Sequence, residues 1–301
     1  MLEQCSKKCA RFFVKHCDQQ TSIPSRRKRV LTIDDANTTE TALASAVSAE
    51  PATFTHLLGK RLQLKQLSKG YRVGMDGALL AAACAGALSE RRSGHSKPLS
   101  GMELGCGAGG ALLSLKWRCP DVFLTGIERE TTYAVLARDN VLLNAMLDVE
   151  IKAGDIGLGF TAAGVERADL VFSNPPYFDN PEALRAPGAA KRPAWIADDG
   201  LQAWLDFALA AAKDGGNIIF IHRADRLGDI LTGLASKAGS LQVRPIQPFA
   251  DSDAKRVIVR AKRLGKAPLR LLPPLILHDG GARKHTDAVE AILRGDEVLS
   301  W

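Results

Sequence analysis

Long apolar runs are absent from the sequence. A helix that spans a bilayer needs about 20 consecutive apolar residues, and the longest candidate, Ala78 to Leu88, is too short. The lysines near the start are not followed by the apolar core of a secretory signal. The sequence therefore predicts a protein without a membrane segment.

A disulfide framework is also lacking. The spacing of the cysteines forms no paired pattern, and a chain of 301 residues does not need cross-links to hold its core. We therefore expect a protein of the reducing cytoplasm. We expect no metal site, because the Cys-x3-Cys-x7-Cys spacing near His16 is not a common zinc pattern. The six cysteines are Cys5, Cys9, Cys17, Cys84, Cys106 and Cys119.

An excess of basic charge is missing from most of the chain. The net charge is +7, but residues 1–30 account for +6 of it, so the remaining 271 residues carry only +1. Residues 1–50 show no helical or strand periodicity, and we interpret them as a flexible basic tail ahead of a domain that spans residues 51–301. Within that domain, two basic runs without an acidic residue, 57–72 and 255–270, suggest phosphate contacts with a nucleic acid.

The first part of the domain has two local signals. Leu62 and Leu64 alternate with polar residues, which predicts a short strand or hairpin. Asp76 stands just before an alanine-rich stretch, and we predict that it is the N-cap of a helix there.

Strand and helix patterns alternate from Leu99 onwards, as in a parallel sheet built from β-α-β units. Near the C-terminus, Leu241 to Phe249 and Arg256 to Ala261 are joined by a loop so short that it can only make a hairpin. We therefore predict an α/β fold with a mostly parallel sheet and one antiparallel strand. The expected strands are Met102–Leu104, Val122–Ile127, Val149–Lys152, Leu170–Phe172 and Ile218–Ile221, and the expected helices are Ala111–Trp117, Thr132–Met146 and Gln202–Lys213.

A glycine-rich turn follows the first of these strands. Glycine lets the backbone turn sharply and approach a ligand closely. With Gly105, Gly107 and Gly109 the string fits Glu-x-Gly-x-Gly-x-Gly, the form that binds S-adenosylmethionine. Continued to Gly110 it also fits Gly-x-Gly-x-x-Gly, the form that binds a dinucleotide.

Three acidic residues are candidates for contacts with the cofactor. Glu128 ends the second strand, where a carboxylate can accept hydrogen bonds from both ribose hydroxyls of an adenosine group. Glu103, just before the first glycine, can pair with the amino group of a methionine moiety, whereas it would repel a pyrophosphate. Asp155 follows the third strand and is placed to accept from an adenine amino group. Glu103 therefore favours S-adenosylmethionine over a dinucleotide.

The segment Asn174-Pro175-Pro176-Tyr177 directly follows the fourth strand and is the most specific signal in the chain. Ligand sites of open α/β sheets form beyond the carboxyl ends of strands. An aromatic amino group is a poor nucleophile, but two acceptors for its hydrogens expose its lone pair. The side-chain oxygen of Asn174 and the carbonyl of Pro175 are candidate acceptors, held by a stiff Pro-Pro pair, and Tyr177 offers a face on which a base can stack.

These motifs together resemble the class I methyltransferases, and in particular the bacterial tRNA-valine adenine-N6 methyltransferases. The resemblance covers roughly residues 54–301 and includes Gly74-Met75-Asp76-Gly77 before the glycine turn and Leu275 to Gly280 near the C-terminus. It implies a Rossmann-like methyltransferase sheet and N-methylation of adenine in tRNA. It also implies that Asp76, with its segment, lies over the cofactor. The implied cofactor contacts are Gly105, Gly107, Gly109, Glu128 and Asp155, and the implied base contacts are Asn174, Pro175, Pro176 and Tyr177.

The substrate stays open at this point. The same Asn-Pro-Pro-Tyr pattern serves enzymes that methylate ribosomal RNA, adenine in DNA and the glutamine amide of release factors. A nicotinamide oxidoreductase would leave this segment without a role, and the sequence offers it no Tyr-x-x-x-Lys or His–Asp pair. A silent RNA-binding module on the same fold is the third alternative.

Overall fold

The part of the chain that the structure, a computed structural model, describes lies within one unit, Ala44–Trp301. The predicted tail (residues 1–50), the cysteines near His16 and the loop after Tyr177 lie outside the described residues. The described residues are 52–69, 72–92, 98–177, 200–281 and 284–301.

An antiparallel hairpin opens the described chain. It consists of β1 (Ala52–Leu57) and β2 (Leu62–Leu67). The alternation that predicted it has a clear basis, because Leu62 and Leu64 are fully buried while Gln63 between them is half-exposed. The hairpin is tied to the main body by Asn140, whose side chain bonds to both backbone groups of Lys65.

A second, larger sheet forms the centre of the fold. From one edge to the other its strands run in the order β10, β8, β9, β7, β6, β3, β4 and β5, and β11 also pairs with β8. The strands are β3 (Ser100–Leu104), β4 (Phe123–Glu128), β5 (Val149–Ala153), β6 (Ala168–Ser173), β7 (Ala212–Arg223), β8 (Ala238–Gln247), β9 (Arg256–Arg263), β10 (Arg270–Leu271) and β11 (Leu275–Ile276).

The strand directions confirm the predicted sheet. Strands β3 to β7 pair in parallel, whereas β9 is antiparallel to both of its neighbours, β7 and β8. Strand β8 therefore runs with the parallel set. The chain leaves β3 for β4 and β5 on one side and returns to β6 on the other, so the order reverses at β3. Crevices at such reversals are where open α/β sheets bind ligands.

Helices cover both faces of the sheet. Four of them (α1, α2, α3 and α6) contribute to one apolar core and two (α4 and α5) to the other. Helix α5 and the short strands β10 and β11 were not predicted. The helices of the described part of the chain are α1 (Met75–Arg92), α2 (Gly110–Arg118), α3 (Thr131–Leu143), α4 (Gly200–Ala211), α5 (Leu227–Ala235) and α6 (Asp287–Arg294). None of them is both long and apolar enough to span a membrane.

The prediction that Asp76 precedes and caps α1 is wrong. The helix begins at Met75, which places Asp76 inside the first turn. Its Oδ2 atom accepts hydrogen bonds from the Tyr177 hydroxyl and from Nε of Arg256. The Arg256 guanidinium carries a full positive charge, and its ion pair with Asp76 at 3.1 Å holds the carboxylate towards these two residues.

A stability prediction follows from the fully buried side chain of Asn140. It bonds to N–H and C=O of Lys65 at 2.7 and 2.9 Å and to the Ala108 carbonyl at 2.9 Å. Asn140→Ala leaves these groups without partners, and we expect a loss of about 1–3 kcal/mol or more in the free energy of unfolding, measured by urea denaturation. Asn144→Ala is the matched control, because Asn144 makes the same pair of bonds to Gln63 but is half-exposed. Equal losses for both variants would contradict this account.

Candidate functional site

The glycine loop between β3 and α2 has the backbone shape that the motif predicts. Gly105, Gly107 and Gly109 all have φ in the left-handed region, at +64°, +54° and +85°. A Cβ at Gly105 would lie 2.5 Å from the ring of Trp204, so that glycine is required by packing. A Cβ at Gly107 would meet no atom within 4 Å among the residues that the structure describes. Within that part of the chain Gly107 therefore borders open space, as expected where a ligand approaches the backbone.

Glu128 holds this loop in place. Its Oε2 accepts the Gly107 N–H at 2.8 Å, and its Oε1 accepts the Glu130 N–H at 2.9 Å. Only 8 % of the residue is exposed, and this burial raises the pKa of the carboxyl group although the backbone hydrogen bonds oppose the change. The structure thus brings the second strand's carboxylate directly to the glycine loop.

Glu103 is a buried carboxyl group beside the loop. It is 3 % exposed. Burial raises its pKa well above the usual value, the nearby charge of Glu128 adds to the rise, and a hydrogen bond from the Leu112 backbone amide opposes it. Its Oε2 atom is buried and has no hydrogen-bond partner among the described residues. Such an atom is costly to bury, and a cationic or N–H-bearing ligand would relieve this cost.

Asp155 lies where the sequence places it, directly after β5. One of its oxygens, Oδ1, accepts the Gly157 N–H at 2.9 Å and so caps a short 3₁₀ turn. The residue is half-exposed. Because β4 and β5 are parallel neighbours and Glu128 pairs with Ala153, Asp155 and Glu128 both lie at the carboxyl ends of these strands.

The Asn-Pro-Pro-Tyr segment lies next to the glycine loop. Leu104 pairs with Ser173, and the Ser173 hydroxyl donates to the Leu104 carbonyl at 2.8 Å. Gly105 and Asn174 therefore leave two neighbouring strands side by side, and adjacent strands are about 4.8 Å apart. The two motifs, 69 residues apart in the chain, meet at the point where the strand order reverses.

Tyr177 is held by a cluster of polar and aromatic side chains. Its hydroxyl is bonded to the Asp76 carboxylate and lies 3.1 Å from Oδ1 of Asn174. The Arg256 guanidinium lies 4.7 Å from the centre of its ring, and the His222 ring meets it edge-on at 5.4 Å. Burial and then the negative charge of Asp76 raise the pKa of Tyr177, so this hydroxyl stays protonated and donates. Tyr177 is thus fixed at the place where a base is expected to stack.

Val73, just before α1, and the first turn of α1 pack on the first turn of α2. A Cβ at Gly110 would lie 2.4 Å from the Val73 side chain, and one at Gly77 would lie 3.6 Å from Cβ of Ala111. The resemblance implies that this segment lies over the cofactor. The structure places it against the helix that the glycine loop opens, and it places Asp76 beside Tyr177.

The expectation that two basic runs face RNA needs a partial correction. Arg260 is 2 % exposed and bonds to Asn217 and Glu90, so it cannot contact a phosphate. The second run also extends along strand β9, in which each residue advances about 3.3 Å, so its members lie at opposite ends of the strands. Arg256 lies at the carboxyl ends of the parallel strands and reaches the Tyr177 cluster, whereas Arg263 lies at their amino ends. In the first run, Lys65 forms an ion pair with Asp139.

The residues present fit S-adenosylmethionine. Among the described residues, Gly107 leaves space for close approach, the Glu128 carboxylate beside it is a group that suits ribose hydroxyls, and the partnerless oxygen of Glu103 suits an ammonium group. A pyrophosphate beside two buried carboxylates would be repelled. Fold and site together define a class I S-adenosylmethionine-dependent methyltransferase.

Known proteins similar in sequence carry one name. The chain is 28% identical over 204 residues to a tRNA1(Val) (adenine(37)-N6)-methyltransferase of Porphyromonas gingivalis. The aligned region covers 66% of this chain and 77% of that protein. It is 26% identical to the protein of the same name from Dickeya chrysanthemi, over 64% of this chain and 78% of that protein. No family model matches the chain. These relatives confirm the resemblance drawn from the motifs.

Solved structures agree on the fold. A predicted O-methyltransferase of Agrobacterium tumefaciens superposes with a TM-score of 0.61 and 25% identity, over 75% of this chain and 99% of the other. An S-adenosylmethionine-dependent methyltransferase of the same organism has a TM-score of 0.50 and 14% identity, over 71% of this chain and 70% of the other. Both solved structures therefore share the fold that the alternation of strands and helices predicts.

Three residues of the site were not predicted from the sequence. Trp204 packs on Gly105, and His222 and Arg256 contact Tyr177. Arg256 stood in a basic run, but nothing in the sequence distinguished it from the six other basic residues there. His222 directly follows the predicted strand Ile218–Ile221, and this position near the carboxyl end of β7 was the available signal.

Gly107→Ala tests the assignment of the cofactor loop. Alanine at a positive φ costs about 1 kcal/mol, and its Cβ would enter the space reserved for the cofactor. We expect the Kd for S-adenosylhomocysteine, measured by calorimetry, to rise about tenfold or more, which corresponds to about 1.4 kcal/mol. Gly164→Ala is the matched control, because Gly164 has φ +59° and equally open surroundings. The assignment fails if both variants bind the cofactor equally well.

Proposed function

We propose that the protein transfers the methyl group of S-adenosylmethionine to the exocyclic N6 of an adenine in tRNA. The observation that carries this proposal is the pairing of Leu104 with Ser173, which sets Asn174 beside Gly105. The name of the relatives, tRNA1(Val) (adenine(37)-N6)-methyltransferase, supports this choice of substrate.

The two hydrogens of an amino group explain why the site needs two acceptors. We assign them to the side-chain oxygen of Asn174 and the carbonyl of Pro175. An amide oxygen has two lone pairs, so Asn174 can accept a further hydrogen bond while the Tyr177 hydroxyl lies beside it. Accepting both hydrogens turns the nitrogen lone pair out of conjugation with the ring. The lone pair is then free to attack.

The cofactor supplies a methyl group on a positively charged sulfur, and the protein supplies position. The Pro175-Pro176 pair limits the backbone freedom of the segment, and the Asp76 and Arg256 contacts fix the Tyr177 ring. Alignment of two bound reactants accounts for a large share of the rate. No strong base is required, because the nitrogen becomes acidic once it is methylated and can release one proton to water.

The Agrobacterium structure that superposes with a TM-score of 0.61 is named as a predicted O-methyltransferase. A hydroxyl substrate has one hydrogen and would use only one of the two acceptors assigned here. The arrangement therefore favours an amino target. Ribosomal RNA, DNA adenine and a protein glutamine amide remain the amino-bearing alternatives, and a substrate panel separates them.

Asn174→Ala should lower kcat for tRNA methylation by about 10²-fold or more, the size typical of removing one preorganised polar contact to a reacting group. The rate is measured as radioactive methyl transfer from S-adenosylmethionine to tRNA from cells that lack the enzyme. Asn174→Asp keeps an oxygen acceptor and should retain part of the rate. Binding of S-adenosylhomocysteine should be unchanged in both variants. If Asn174→Ala instead loses the cofactor and keeps its rate at saturation, its assigned role is wrong.

A further inference from the structure

We propose that a column of three contacting aromatic side chains, Phe249, His278 and His285, is a second base-binding site that holds an unpaired nucleotide of the RNA near the target adenine. This proposal rests on the proposed function and adds a place where the RNA outside the reacting base is held. The column lies outside Asn174 to Tyr177 and takes no part in the reaction assigned above.

The three rings form a column that runs from the interior to the surface. The rings of His278 and His285 are stacked, with centres 5.1 Å apart, and the Phe249 ring contacts the His278 ring at 5.4 Å with its plane tilted by 46°. His285 is 7 % exposed, His278 is half-buried, and Phe249 is 45 % exposed. The column therefore ends in solvent at Phe249, whose exposed ring can stack with a base.

The column is braced by hydrogen bonds. The His278 backbone N–H donates to the Pro248 carbonyl at 2.8 Å, and its ring Nδ1 donates to the Lys284 carbonyl. A carbonyl only accepts, so the proton of the His278 ring is on Nδ1. The Ser252 hydroxyl bonds to both backbone groups of Phe249, at 2.9 and 2.8 Å. Bases stack best on rings that are already fixed, because little conformational entropy is then lost on binding.

The column lies at the carboxyl ends of the parallel strands, as the proposed reaction site does. Phe249 follows the carboxyl end of β8, and His278 follows the carboxyl end of β11, which is parallel to β8. Ile246 pairs with Arg256, whose guanidinium contacts Tyr177. Phe249 is three residues beyond Ile246, which is at most about 10 Å along an extended chain. A strand of RNA with its target base at Tyr177 can therefore place another base on Phe249.

The local charges favour stacking over phosphate binding. The hairpin that carries Phe249 has Asp251 and Asp253 as well as Lys255, all exposed, so its charge is mixed. Stacking of a base on an aromatic side chain is worth a substantial part of single-strand affinity and does not depend on counterion release.

The test uses the full-length protein and a fluorescein-labelled tRNA, with Kd measured by anisotropy over a range of salt concentrations. Phe249→Ala should raise Kd by about fivefold or more without changing the slope of log Kd against log salt. Phe249→Tyr should bind like the wild type, because it keeps the ring. Phe123→Ala is the matched control, since Phe123 is 55 % exposed but begins β4 and so lies at the amino ends of the parallel strands.

In methylation assays Phe249→Ala should raise KM for tRNA and leave kcat unchanged. The proposal is overturned if Phe249→Ala binds as tightly as Phe123→Ala, if Phe249→Tyr binds as weakly as Phe249→Ala, or if the salt slope changes. The proposed function is judged separately. If the wild type binds tRNA but does not methylate it, that function is wrong and the Kd series still decides on the column. If the wild type does not bind tRNA, both are wrong.

Discussion

The placement of β3 between β4 and β6 is the constraint on which the site depends. Because β3 pairs in register with both neighbours, the residues that follow each strand emerge at one point of the sheet. Glu128 then reaches the Gly107 amide from one side, and Asn174 lies beside Gly105 on the other. A slip of one residue in either pairing would turn these side chains to the opposite face. The two buried cores that fix the register are therefore as necessary to the chemistry as the polar residues.

The electrostatics of the site are those of a binding pocket more than of acid–base catalysis. Burial raises the pKa of both Glu103 and Glu128, which means that each carboxylate is poorly solvated without a ligand. Hydroxyl and ammonium groups are suitable partners for such carboxylates. On the substrate side, Asp76 is neutralised by Arg256 and bonded to Tyr177. The charges of Asp76 and Arg256 thus hold the Tyr177 ring in place. This suits the proposed reaction, which depends on alignment of the two reactants.

Most of the fold and the location of the site could be predicted from the sequence, because their signals are local. Apolar runs marked β3 to β7, the short Ala-Asp-Ser-Asp connection predicted the antiparallel β9, and the glycines and Asn174 stand at strand ends. The failures came from contacts between distant segments. Asp76 has the local signature of an N-cap, but Arg256, 180 residues away, draws its carboxylate. Arg260 looked like a surface charge, but Asn217 and Glu90 satisfy it in the interior. Trp204 and Phe249 carry no local pattern that indicates a site.

The central claim is that the reacting atom is an exocyclic adenine nitrogen in tRNA. The most direct test treats tRNA from cells that lack the enzyme with the purified protein and S-adenosylmethionine, digests it to nucleosides and identifies the methylated product by mass spectrometry. The account predicts N6-methyladenosine as the new nucleoside. A methylated ribose, a ring-nitrogen product such as 1-methyladenosine, or no tRNA product from a protein that binds the cofactor would contradict it.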